Sequence, residues 1–195
     1  MKTQEQKIID RDQAIIDARE ILNHPYVVLD TETTGLNNAQ MCQIALLQSN
    51  GLQYKSLVKP TIPIEAGAAA VHGITDEDVK YAPQAIDVVK LIPGGIALVI
   101  YNAPFDLKVL DNSIKALGIY GTNFGDVLVY DAMRIYSHFI GEWHDYYGNY
   151  KWHKLEIACE RSEIEIDLKL HDAMSDCIMT ERLVKYIAAQ KLSTE

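Results

Sequence analysis

The sequence has few cysteines and no long apolar segment, and each shortage excludes a class of protein. Its longest apolar candidate, residues 96–100, has the length of a strand, whereas a membrane-spanning helix needs about 20 residues. The N-terminus is polar and lacks the apolar region of a signal peptide. The cysteines Cys42, Cys159 and Cys177 are scattered without a Cys-x-x-Cys pair, which favours buried thiols in a reducing compartment. We therefore expect a cytoplasmic protein without a membrane partner.

Positive charge is also scarce. The chain has 18 Lys and Arg residues against 27 Asp and Glu residues, a formal net charge of −9. Proteins that bind nucleic acids usually carry a basic surface, so this balance argues against a long electrostatic track along a duplex. It does not exclude a short footprint, because divalent cations held by some of the acids would supply local positive charge for a phosphate.

The length of 195 residues, with 48% hydrophobic and 23% charged residues, indicates an ordered globular chain with one domain over residues 1–195. Residues 1–24 are predicted to form an N-terminal helical extension, with a helix at 10–22 that ends before Pro25. Strands are predicted where apolar runs end at turn residues, namely at 26–30, 43–48, 52–58, 96–101 and 127–130. Asn50-Gly51 predicts a hairpin between the second and third strands.

Helices are predicted between and after these strands. Residues 64–75 are a small-residue helix or loop, and Thr75 is expected to cap a short helix with Asp78 at its third position. Further helices are expected at residues 83–92, from Pro104 onward, at 132–140 and after residue 171. Residues 141–153, within an insertion loop at 139–153, break this pattern and are rich in aromatic residues. They fit either a base-stacking loop or a small aromatic core or oligomer interface, and the second interpretation is slightly favoured.

Four acids fall at the ends of predicted elements. Asp30 and Glu32 end the first strand and point to one face, because strand side chains alternate. Asp106 falls in a first helical turn, and Asp176 lies on the border of the buried face of the last helix. Four acids suit two divalent cations about 3.5–4 Å apart, a pair that stabilises both oxygens of a phosphodiester displacement. His171, in the loop before that helix, could accept a proton from water. The residues alone thus indicate metal-dependent phosphoester hydrolysis.

Three stretches in this order resemble the motifs of the DEDDh 3′–5′ exonucleases, the family of the proofreading epsilon subunit, exonuclease X and ribonuclease T. They are DTETTGL at residues 30–36, NAPFD at 102–106 and HDAMSD at 171–176. VHGIT at 71–75 and VYD at 129–131 add to the resemblance. It implies an α/β, ribonuclease H-like three-layer fold, with a five-stranded mixed sheet flanked by helices. It also implies a 3′–5′ exonuclease that hydrolyses single-stranded DNA to nucleoside monophosphates.

The resemblance further implies a role for individual residues. Asp30, Glu32, Asp106 and Asp176 would bind two Mg²⁺ or Mn²⁺ ions, and His171 would be the general base. The pocket for the 3′-terminal nucleotide would be lined by Thr31, Thr33, Thr34 and His72, with Asn102 close to the substrate strand. His72 taken alone is more often a hydrogen-bonded structural histidine. Tyr101 stands where many members have histidine, and the C-terminal residues do not resemble a clamp-binding tail. We therefore expect a stand-alone exonuclease, with a homodimer as one arrangement.

Two other functions remain open at this stage. The first is the same chemistry on RNA or short oligoribonucleotides, because metals and carboxylates do not distinguish the two sugars. The second is a non-catalytic nucleic-acid-binding module that keeps the fold, since a fold does not determine a function.

Overall fold

A computed structural model describes residues 2–120 and 127–194. Its main sheet has five strands: β1 (Tyr26–Thr33), β2 (Met41–Gln48), β3 (Gln53–Leu57), β4 (Ala97–Ile100) and β5 (Val129–Asp131), in the order β3-β2-β1-β4-β5. The first three strands pair antiparallel, whereas β4 is parallel to β1 and to β5. The five-stranded mixed sheet and the hairpin between the second and third strands, both predicted from the sequence, are confirmed. The Asn50-Gly51 turn joins β2 to β3, and Gly51 has a φ of 87°.

Helices cover both faces of this sheet. They are α1 (Gln4–Asn23), α2 (Ala66–His72), α3 (Asp76–Val79), α4 (Ala85–Val89), α5 (Ala103–Lys115), α6 (Ala132–Ile140), α7 (Leu155–Arg161) and α8 (Ala173–Ala188). Val28 and Val99 pack on one face against α1, α6, α7 and α8. Val27 and Leu98 pack on the other face against α4 and α5. Strand alternation thus divides the core into two halves and produces the predicted three-layer arrangement.

Several predicted elements keep their position but change length. The first helix begins at Gln4 rather than residue 10, because the Thr3 hydroxyl caps it by accepting a hydrogen bond from the Gln6 amide at 3.2 Å. Its early turns are largely exposed, so they lack the apolar periodicity on which the prediction rested. Residues 64–75 contain a helix at Ala66–His72, and residues 83–92 contain one at Ala85–Val89. The predicted cap at Thr75 is present, with its hydroxyl 2.6 Å from the Asp78 carboxylate.

The aromatic segment at residues 141–153 is a small β-hairpin rather than a loop. Its strands are β6 (Trp143–His144) and β7 (Asn149–Tyr150), and Gly141 starts it at a φ of 72°. Strands of two residues are too short to give the period-2 pattern that identifies strands in a sequence. Helix α7 follows the hairpin and was not predicted from the sequence.

The buried thiols expected from the sequence are confirmed, since Cys42, Cys159 and Cys177 are free and buried. None of the helices that the structure describes combines the length and the hydropathy needed to cross a bilayer.

The interior position of β4, between β1 and β5, makes its core residues a good test of this fold. Leu98 is fully buried between β1 and β5. We expect Leu98→Ala to lower the free energy of unfolding by about 2–5 kcal/mol, because the lost side chain leaves a cavity. The control is Leu52→Ala, whose side chain is 59% exposed and should change stability by less than about 0.5 kcal/mol. Urea unfolding followed by circular dichroism measures both, and equal effects would contradict this packing.

Candidate active site

The carboxylates of Asp30, Glu32 and Asp176 form a cluster at one end of the sheet. Asp30 and Glu32 lie two residues apart on β1 and point to the face covered by α8. Asp176 comes from the first turn of α8. One carboxylate oxygen of each residue lies within 4.8 Å of the other two. The structure therefore brings three of the four predicted acids together.

Asp106 approaches the cluster from the opposite face of the sheet. It lies in the first turn of α5, and Thr31 points toward it from the middle of β1. Asp106 Oδ1 accepts hydrogen bonds from the Thr31 amide at 3.1 Å and from the Thr31 hydroxyl at 2.7 Å. Asp106 is buried beside Asp30, which feels its charge more strongly than that of any other acid. Thr31, predicted to line a substrate pocket, thus positions a carboxylate.

The pKa values of all four acids are raised. Burial, opposed by the hydrogen bonds from Thr31, brings the pKa of Asp106 to about 7, and burial raises that of Glu32 to about 8. Asp176 reaches a pKa of about 7 through burial and the nearby charges of Glu156 and Asp172. The pKa of Asp30 lies well above its usual range because it is buried among the other acids. The site therefore disfavours the charged form of each carboxylate.

The carboxylate oxygens of this cluster are suitable ligands for a divalent cation. In residues 2–120 and 127–194, no side chain forms a hydrogen bond or an ion pair with the carboxylates of Asp30, Glu32 or Asp176. Buried carboxylates normally have such partners, and hard divalent cations take oxygen ligands at this kind of site. Lys55, which could have neutralised the cluster, instead forms an ion pair with Asp172 at 2.9 Å.

His171 lies directly before the α8 N-cap, as predicted. Its φ is 55°, in the left-handed region that non-glycine residues seldom adopt, and Asp172 caps the helix through the Ser175 amide. No described residue forms a hydrogen bond with the His171 ring. The loop thus presents an imidazole whose nitrogens are not engaged by the protein.

A cavity of about 290 Å³ adjoins Glu32 and contains two of the predicted pocket residues, Thr33 and His72. His72 is buried, with Nδ1 accepting from the Ile74 amide at 3.0 Å and Nε2 donating to the Thr33 carbonyl at 3.1 Å. His72 therefore has the structural role expected of an isolated histidine, and it also lines the cavity. Thr34 does not line this cavity; it is buried, and its hydroxyl accepts from the Gln40 amide at 3.1 Å.

Asn102 lies away from this pocket, in the left-handed N-cap of α5 with a φ of 67°. It lines a second cavity, of about 710 Å³, together with Pro104 and the aromatic hairpin.

One residue near the site was not found from the sequence. Glu156, on α7, is the charge that raises the pKa of Asp176 most, and the sequence did not predict the helix that carries it. The apolar spacing of Leu155, Ala158 and Cys159 could have revealed that helix. Tyr101, which the family resemblance had marked, directly follows β4 and donates a hydrogen bond at 2.7 Å to the carbonyl oxygen of His153.

Residues 27–184 match the family model RNase_T, described as exonuclease. The exonuclease CP81 of Escherichia phage 186 is 38% identical over 183 residues, covering 88% of this chain and 92% of that protein. A DNA polymerase III subunit epsilon-like protein of Rhodobacter capsulatus is 34% identical over 87% of this chain, which spans only 25% of that protein. The DNA polymerase III subunit epsilon of Haemophilus influenzae is 30% identical, with 77% of this chain and 62% of that subunit covered.

Solved structures with the same fold include two exonucleases. Exonuclease I of E. coli, in complex with a dT13 oligonucleotide, has a TM-score of 0.69 at 19% identity, covering 85% of this chain and 41% of that one. Exonuclease X, in complex with 5′ overhanging duplex DNA, has a TM-score of 0.65 at 22% identity, covering 86% and 95%. Together with the family model and the phage relative, this likeness shows that the chain belongs to the RNase_T exonuclease family and has the ribonuclease H-like fold.

Proposed function

We propose that this protein is a 3′–5′ exonuclease that hydrolyses single-stranded DNA to nucleoside monophosphates with two divalent ions, Mg²⁺ or Mn²⁺. The observation that carries the proposal is the cluster of Asp30, Glu32 and Asp176, which Asp106 joins from the opposite face. Glu32 is buried and the other two are half-buried, and none of the three carboxylates has a hydrogen-bond or ion-pair partner among the described residues. Such a cluster disfavours its own charge unless a cation binds there. The carboxylate cluster lies at the end of the sheet, where the 3′ end of a DNA strand could enter from solvent.

The four carboxylates have separate supports in this mechanism. Asp30 and Glu32 are held by the paired strand β1, Asp176 by α8 and Asp106 by the two hydrogen bonds from Thr31. Bound there, divalent ions would lower the pKa of the attacking water and neutralise charge on the phosphate. His171 accepts the proton of that water, because its ring has no protein partner among the described residues.

Single-stranded DNA is the substrate best supported by the relatives. The similar proteins include subunits of DNA polymerases, and Exonuclease I was solved with a dT13 oligonucleotide. The cavity beside Glu32 is lined by the predicted pocket residues Thr33 and His72 and by Leu36 and Val71, both exposed, which suits one terminal nucleotide. The single domain over residues 1–195, the homodimer and the cytoplasmic location stay predictions from the sequence.

Loss of one predicted ligand tests the catalytic function. We expect Asp106→Asn to reduce cleavage by more than about 100-fold, a loss larger than that typical for outer partners of a metal. The assay digests matched 5′-labelled DNA and RNA strands with Mn²⁺ and resolves the ladder on a gel, with a parallel lane in EDTA. The control is Asp111→Asn, further along α5, whose carboxylate forms an ion pair with Lys115 at 2.6 Å. Wild-type activity in Asp106→Asn would contradict the mechanism, and faster cleavage of RNA would contradict the proposed substrate.

A substitution of His171 tests the general base separately from the metal ligands. We expect His171→Ala to lower kcat by roughly 10²–10⁴-fold, the usual contribution of a positioned base, while Mn²⁺ binding is retained. His24→Ala, an exposed histidine at the end of α1, should leave kcat unchanged. Steady-state digestion at saturating substrate gives kcat, and calorimetric titration with Mn²⁺ gives the metal affinity. If His171→Ala cleaved at the wild-type rate, another group would have to accept the proton.

The raised pKa values predict how stability depends on pH when metal is removed. Between pH 6.5 and 8.5 the unfolded chain has already released the protons of Glu32 and Asp106, whereas the folded chain still holds part of them. The free energy of unfolding should therefore fall as pH rises. His72, whose pKa is lowered by burial, acts in the opposite direction only below about pH 6.5, its ordinary pKa.

Urea unfolding in EDTA at the two pH values measures this effect. Asp106→Asn should flatten the pH dependence, because it removes one of the titrating acids, and Asp111→Asn should not. Stability that rises with pH over this range would show that the acids ionise freely in the folded protein.

A further inference from the structure

The second cavity, of about 710 Å³, is lined by several parts of the chain, including Lys2 near the N-terminus. The turn before Asp106 contributes Asn102 and Pro104, helix α6 contributes Arg134 and His138, and the aromatic hairpin contributes Trp143 and Trp152. It shares no lining residue with the pocket beside Glu32. Glu32 itself lines the smaller cavity, whereas Asn102 and Pro104, which line the larger one, come just before Asp106 in the chain.

The hairpin that forms one wall is firmly anchored. The Tyr101 hydroxyl holds the His153 carbonyl, and the Tyr150 hydroxyl donates to the Asp10 carboxylate at 2.6 Å. Arg161 forms an ion pair with Glu142 and donates to His153 Nε2 at 2.8 Å. These contacts join the hairpin to β4, α1 and α7. The wall keeps a defined position relative to the carboxylates.

The aromatic side chains of this hairpin divide into two groups. Trp143 and Tyr150 pack edge to face, with ring centroids 5.2 Å apart, and form a small aromatic core as the sequence favoured. Trp152 is different, because it is 68% exposed at the cavity and makes no ring or cation contact with the described residues. Because the hairpin is anchored, the large apolar ring of Trp152 keeps an exposed position, in which it is suited to stacking on a base.

The charges of the cavity favour an anionic strand. The Arg134 side chain is exposed and has no ion-pair partner among residues 2–120 and 127–194. Asp131, the acid in the lining, caps α6 by accepting from the Arg134 amide at 3.2 Å. Lys2 is paired with Asp10, and burial lowers the pKa of His138. Arg134 is therefore the cation free to contact a phosphate.

We propose that this cavity binds the nucleotides on the 5′ side of the scissile phosphate, with Trp152 stacked on a base and Arg134 on a phosphate. The proposal rests on the exonuclease function above and extends it, because it explains how a chain of net charge −9 holds a strand over a short footprint. The 3′-terminal nucleotide occupies the pocket beside Glu32, and the strand leaves past Asn102 toward the hairpin. Dinucleotides would not reach Trp152, whereas strands of several nucleotides would.

The test measures KM and kcat with Mn²⁺ for single-stranded DNA of two and of eight nucleotides. We expect Trp152→Ala to raise KM for the longer strand roughly tenfold, in line with the loss of one stacked base, and to leave the dinucleotide unchanged. Trp152→Phe should recover most of that affinity because it keeps an aromatic face. Arg134→Ala should weaken binding of the longer strand and reduce the salt dependence by about one counterion. Tyr146→Ala is the control, being an exposed aromatic of the same hairpin outside the cavity.

Equal KM values for wild type and Trp152→Ala on the longer strand would overturn the cavity proposal and leave the exonuclease function intact. A similar increase for the dinucleotide would also overturn it, because the residue would then act on the catalytic centre. If Trp152→Ala instead converted a dimer to a monomer in sedimentation, the surface would be an interface between copies. Wild-type protein without metal-dependent cleavage of either strand would contradict the proposed function as well.

Discussion

Repulsion among buried carboxylates is the constraint on which the architecture of this site depends. Asp30, Glu32, Asp106 and Asp176 each have a raised pKa, and burial is the first cause for all four. Residues under such repulsion stay together only when the surrounding structure fixes them. Here the two halves of the core hold β1 from both faces, so that neither acid on the strand can turn away. The stability of the hydrophobic layers thus maintains an electrostatically unfavourable site.

Strand alternation then decides which partners each acid has. Asp30 and Glu32 face α8 and meet Asp176, whereas Thr31 between them faces α5 and meets Asp106. The short residue separating two acids is therefore a structural part of the site. Its hydroxyl and amide both donate to the same oxygen of Asp106, Oδ1. One strand organises carboxylates on both of its faces.

The sequence was sufficient for those parts of the site that follow from short-range rules. Period-2 alternation placed Asp30 and Glu32 together, and helix geometry placed His171 outside α8 with Asp172 as its cap. It was insufficient where the outcome depends on packing between distant segments. That Asp106 would approach from the second face, or that Thr31 would bind it, depends on how α5 lies across the sheet. The two-residue strands of the hairpin gave no periodic signal, and α7 has only two turns.

Tyr101 links the aromatic hairpin to the turn that leads to Asp106. The family resemblance left its position unexplained, because histidine is common there. In this protein burial raises the pKa of the Tyr101 phenol, so the hydroxyl keeps its proton and donates it to the His153 carbonyl. His153 follows Trp152, and Tyr101 precedes the Asn102 turn that leads to Asp106. A single hydrogen bond therefore connects the exposed tryptophan to the strand end that positions a carboxylate. The departure from histidine and the aromatic hairpin are consequently parts of one local structure, since the Tyr101 phenol donates to the carbonyl of His153 at the end of the hairpin.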